Sequence, residues 1–119
     1  MSVSARRRDD DAAARLAASV ASYGLGVSQE EILSDDRGAP EVAFARKVAM
    51  YLCHAGFQLS LTRVAVAFGR DRSTVSSACH LIEDRRDEPQ FDLWMAGLEA
   101  MLEDPPLPGW RGIKPGQRR

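Results

Sequence analysis

Arg70, Asp71 and Arg72, followed by Ser73, Thr74, Ser76 and Ser77, form the stretch of this sequence best equipped to touch another molecule. Numbered along a helix, Ser73, Ser76, Ser77 and His80 fall on one stripe and Val75, Ala78, Cys79 and Ile82 on the opposite one. Burial of the apolar stripe therefore leaves the polar one facing outward. Short polar side chains let a helix axis come close to base edges in the major groove of a duplex. Arginines at the helix N-terminus stand where base and phosphate contacts concentrate. The chemistry on offer is recognition, not bond making.

Other candidate sites are weaker. Cys53-His54 and Cys79-His80 pair two metal-binding residue types, but neighbouring helix positions point about 100° apart and do not close on one ion. Their spacing matches no zinc signature. There is no nucleophile elbow and no Gly-x-x-x-x-Gly-Lys-Ser/Thr phosphate loop. Neither enzyme activity nor a cofactor or metal is expected.

The polar stripe needs a frame. Leu61, Val64, Ala65 and Phe68 recur at i, i+3, i+4, i+7 and predict a helix capped by Ser60 and ended by Gly69. A second helix follows Asp71, a good N-cap residue. The pair reads as a helix-turn-helix, with Ala65 small enough for a steep crossing and Gly69 tolerant of positive φ in the turn. Upstream, a helix is expected from Asp10, with Ala13, Leu16, Ala17 and Val20 inward, Asp9–Asp11 at its start and Gly24 and Gly26 at its end. Ser28 and Glu31 resemble a capping box for a short helix to Leu33. Pro40 opens a helix that turns Val42, Ala45, Ala49 and Leu52 inward and stops near Gly56. Pro89 opens the last, with Phe91, Trp94, Met95 and Leu98 inward. The expected fold is an all-α bundle over residues 10–103, with a disordered N-terminus (1–9) and an irregular, basic Pro/Gly-rich tail (104–119) containing Trp110.

The string Ala45-Arg46-Lys47-Val48-Ala49-Met50-Tyr51-Leu52, then Ser60-Leu61, then Phe68-Gly69-Arg70-Asp71-Arg72-Ser73-Thr74-Val75, then Ala78 and Ile82-Glu83, resembles the C-terminal DNA-binding domain of the DnaA family of replication initiators. The resemblance covers roughly residues 12–102 and includes Val20-Ala21-Ser22-Tyr23 and Ile32-Leu33-Ser34. It implies that Arg46 enters the minor groove, that Asp71, Arg72, Ser73 and Thr74 touch bases, and that Leu61 and Thr62 lie near the phosphate backbone. Arg70 and Ser77 complete the expected DNA-facing set.

The departures from the family pattern are specific. The turn has one glycine fewer, and Arg72 stands where the family has His. The loop Ser34-Asp35-Asp36-Arg37-Gly38 is acidic where the family's is basic. No counterpart of the family's ATPase domain is present, so the expectation is a stand-alone DNA-binding module and not an ATP-driven initiator.

Length and charge bound the rest. The chain has 119 residues, enough for one core, and a net charge of −1. That balance is unusual for a nucleic-acid-binding domain and points to action with a protein partner or as a homodimer. There is no secretory h-region and no apolar run long enough to span a membrane, so a cytoplasmic, nucleoid-associated protein is expected. Cys53 and Cys79 read as buried free thiols. Two functions follow: a sequence-specific bacterial transcription regulator, or a protein-interaction module for a sigma-like factor or an initiator. Stand-alone modules of the first kind resemble regulators of phage-like and gene-transfer-agent clusters.

Overall fold

A computed structural model describes residues 3–103; the tail at 104–119, with Trp110, lies outside the described residues. The described residues form six helices and no strand: α1 (Val3–Leu25), α2 (Gln29–Leu33), α3 (Pro40–Tyr51), α4 (Leu61–Phe68), α5 (Arg72–Arg85) and α6 (Pro89–Glu103). A π-helical turn, Leu52–Gly56, prolongs α3. The expected all-α bundle with a helix-turn-helix is the fold observed.

Helix α1 begins at Val3, well before the expected start at Asp10, so residues 3–9 are helical and not disordered. Two interactions account for the extension. Arg7 Nε donates to Asp11 Oδ1 across one turn (3.2 Å), and Arg63 of α4 grips the Asp10 carboxylate with two hydrogen bonds (3.0 and 2.6 Å). Asp10 thus serves as a tertiary anchor in the helix interior and not as a first-turn carboxylate. The inward face is also rotated slightly from the expected one. Ala17 and Val20 are fully buried, but Ala14, Ala18 and Ala21 join them, while Ala13 and Leu16 are only partly covered. This strip of alanines lets α3, the helix that α1 touches most, pack closely.

The local signals for α2, α3 and α4 hold. Ser28 Oγ accepts the Glu31 backbone N–H and donates to the Glu31 carboxylate, a variant of the capping box. Pro40 sits in the first turn of α3. In α4, Ser60 Oγ accepts from Arg63 N, and at the far end Gly69 adopts φ 65°. Gly69 N–H then bonds Val66 O and Arg70 N–H bonds Ala65 O (3.3 and 2.9 Å), the paired bonds of a Schellman stop. Val20, Ile32, Met50, Leu52, Ile82 and Met95 are the centre of a core drawn from all of the long helices. Cys53 and Cys79 lie within it as free thiols, pushed up to about 12 and about 11 by burial, and are therefore unreactive at neutral pH.

Candidate nucleic-acid interface

Packing of α5 against α3 leaves a groove of about 830 Å³ between α5, the start of α3 and the loop before it. Ser73, Thr74 and Ser77 line it from α5, and Arg70 and Asp71 from the turn. Arg46 and Lys47 line it from α3, and Arg37 from the loop. The groove thus gathers six of the sequence-predicted residues. Leu61, Thr62 and Arg72 stand outside it. Leu61 is partly buried against the core, and Thr62 is exposed in the first turn of α4.

The outward face of α5 follows its stripe pattern with one exception. Val75, Ala78, Cys79 and Ile82 are buried, and Ser73, Ser77 and His80 are exposed together with Arg72 and Thr74, while Ser76 is half-buried. Asp71 occupies the N-cap position, but its side chain makes no capping hydrogen bond, contrary to expectation. The first-turn N–H groups of α5 therefore keep their capacity for an outside acceptor.

Two arginines are placed differently from what the sequence implied. Arg46 is only 6% exposed. Its Nε donates to Ile32 O (2.8 Å), Nη2 to Glu31 O (2.8 Å) and Nη1 to Arg37 O (3.3 Å). It closes the C-terminal end of α2, where carbonyls lack helical partners and a cation is favoured. Entry into a minor groove requires it to give up these bonds. Arg70 is turned the same way, with Nη2 to Ser34 O (2.8 Å) and Nη1 to Asp35 O (3.3 Å). Its Nε is buried without a hydrogen-bond partner. Burial, and then the neighbouring Arg70 charge, lower the Arg46 pKa, with Asp36 opposing. The loop reads as acidic in sequence, yet its backbone carbonyls hold two guanidinium groups.

Arg37 and Lys47, by contrast, make no side-chain hydrogen bond or ion pair among the described residues, and neither does Arg72. Arg37 and Lys47 were not among the residues expected to face DNA. A usable signal was present for Lys47: Pro40, Ala43 and Lys47 continue at i, i+3, i+7 on the outer side of α3. Arg37, the one basic residue of the loop, carries no periodic mark.

Two amphipathic helices joined by a Schellman turn, the second with an exposed polar face, define a helix-turn-helix domain. The chain belongs to the bacterial dnaA protein helix-turn-helix family, whose model matches residues 14–82. It is 44% identical over 77 residues to chromosomal replication initiator protein DnaA 1 of Chlamydia pneumoniae, covering 65% of this chain and 16% of that protein. It is 39% identical over 82 residues to DnaA 2 of Chlamydia caviae (69% and 17%) and 38% identical over 87 residues to DnaA of Aquifex aeolicus (71% and 21%). The chain thus spans about a sixth to a fifth of the length of these relatives. No solved structure matches it. Membership in this family supports DNA binding. No helix among the described residues is long and apolar enough to cross a membrane.

Proposed function

We propose that the chain binds duplex DNA sequence-selectively, with α5 in the major groove, and acts as a bacterial transcription regulator together with a protein partner. The observation that carries this reading is the exposed α5 face, where Arg72, Ser73, Thr74 and Ser77 are left without structural employment. Arg72 suits the O6/N7 edge of guanine, and Asp71 can accept from a cytosine amino group. Arg37 and Lys47, unpaired on the groove wall, are placed to meet the phosphate backbone. Replication initiation, the activity in the names of the relatives, is not carried over to a chain matching a small part of their length.

The exposed Asp35 and Asp36 favour the second reading, a module that holds a protein partner and has little DNA affinity of its own. Anisotropy with a pool of genomic duplexes at low and physiological salt separates the two. Saturable binding that weakens steeply with salt and loses selectivity in Arg72→Ala is the result expected for a direct reader. No binding at low salt overturns it in favour of the partner-holding module.

A further inference from the structure

The loop between α2 and α3 has little of its own to hold it. Over residues 34–38 the one backbone–backbone hydrogen bond among the described residues runs from Ser34 N–H to Glu31 O (3.3 Å). The rest of the hold comes from two guanidinium groups. Arg46, on α3, takes the carbonyls of Glu31, Ile32 and Arg37. Arg70, in the turn before α5, takes those of Ser34 and Asp35. Gly38 then lays the chain on the first turn of α3. Its φ is 71°, and a Cβ there would stand 3.0 Å from Val42. Arg37 sits between these grips. Its carbonyl is on Arg46, while its side chain lines the groove, exposed and unpaired among the described residues.

We propose that Arg70, together with Arg46, is a positioning residue: it fixes the backbone of loop 34–37 so that Arg37 meets a phosphate of the duplex, and it makes no DNA contact itself. The inference rests on the DNA-binding reading above and names how that interface is set. The grip has a local cost. Two cations converge on one short loop, and Arg70 Nε is buried without an acceptor, which is unfavourable for a donor. Such a cost is expected where it serves a site. The gain is preorganisation. A loop already held in one conformation loses less freedom when its side chain engages a ligand. The guanidinium fork suits this task, because one side chain can hold two carbonyls at once. The hold also reaches across the fold. It ties the loop to the turn that opens α5, so Arg37 and the exposed polar face of α5 keep a fixed relation to one another.

The test is a double-mutant cycle on the full chain. Duplex affinity is followed by anisotropy over a range of salt concentrations for the wild type, Arg37→Ala, Arg70→Ala and the pair. Each single variant should lower the salt slope by about one, and the pair also by about one, because Arg37 has lost its place once Arg70 is gone. Arg70→Lys keeps the charge without the fork. With and without Arg37→Ala it should behave as Arg70→Ala does, and it replaces that variant if Arg70→Ala fails to fold. In the free protein, 15N order parameters at residues 35–37 should fall in either Arg70 variant while those of α5 stay high. A pair that loses about two, or an Arg70→Lys that restores the wild-type slope, overturns the inference in favour of a direct phosphate contact by Arg70 and leaves the DNA reading standing. Order parameters unchanged in the Arg70 variants overturn it likewise. A wild type that binds no duplex at low salt overturns the DNA reading and this inference together.

Discussion

The two ends of α5 carry arginines in opposite conditions. At the C-terminal end, Arg85 lies over the rings of Phe44 (5.1 Å) and Phe91 (4.4 Å). Arg86 bonds Asp92 (2.6 Å), Glu99 (2.9 Å) and the Tyr51 hydroxyl (3.2 Å). Burial works against the Arg86 charge, but these acceptors outweigh it and hold the guanidinium firmly protonated. At the N-terminal end Arg72 is exposed, has no partner among the described residues and has no acidic neighbour in the first turn. The helix dipole makes the difference sharper: a cation is welcome at the C-terminus and unwelcome at the N-terminus. Arg72 breaks a local rule with no gain inside the fold, and such a break is expected where a residue serves a ligand. Arg46 and Arg70 belong with the committed class, and Arg37 and Lys47 with the available one.

The largest test of that division is Arg46→Ala. Removing a guanidinium that satisfies three backbone carbonyls should cost about 3 kcal/mol of stability in urea unfolding. If stability holds and only DNA affinity falls, Arg46 belongs with the available arginines and its implied minor-groove role returns. Arg86→Ala comes next. Its network is partly wet, with Asp92 half exposed, so a loss of about 2 kcal/mol is expected. The folded fraction should bind DNA as before.

Arg72→Ala reverses the pattern. Stability should stay within about 0.5 kcal/mol, as for surface changes free of packing or capping roles. Affinity for a preferred duplex should drop by about 1–3 kcal/mol while nonspecific binding changes little. Equal losses on preferred and random duplexes would reassign Arg72 to the phosphates. A smaller, sequence-independent loss is expected for Arg37→Ala and Lys47→Ala, each lowering the salt slope by about one. An unchanged slope would take the residue off the backbone.

The same division explains what was legible in the sequence. The helix-turn-helix was readable because its signals are local: Ser60 caps within three residues, Gly69 stops α4, and Val64, Ala65 and Phe68 show one stripe. The partners of Arg46 and Arg70 were not readable, because they are backbone carbonyls, which all residues have. The groove wall formed by Arg37 and Lys47 exists only through the packing of α3 on α5. The start of α1 depended on Asp10 and Arg63, which lie far apart in sequence and show no shared period.

That last pair offers the mildest test, because acid should weaken the committed arginines before it touches the available ones. The Arg63 hydrogen bonds hold the Asp10 carboxyl below its ordinary value of 3.8, against the opposing effect of burial. A carboxyl depressed in the folded state stabilises the fold fully above its unfolded-state pKa. That contribution is lost as pH falls through the folded value. Unfolding free energy should therefore decline below about pH 4, with residues 3–9 the first to exchange their amide hydrogens. Asp10→Asn should be less stable at neutral pH and should show a flatter decline in acid. A wild-type slope in that variant would mean that other carboxylates carry the acid sensitivity and that α1 keeps its N-terminal turns without the Arg63 anchor.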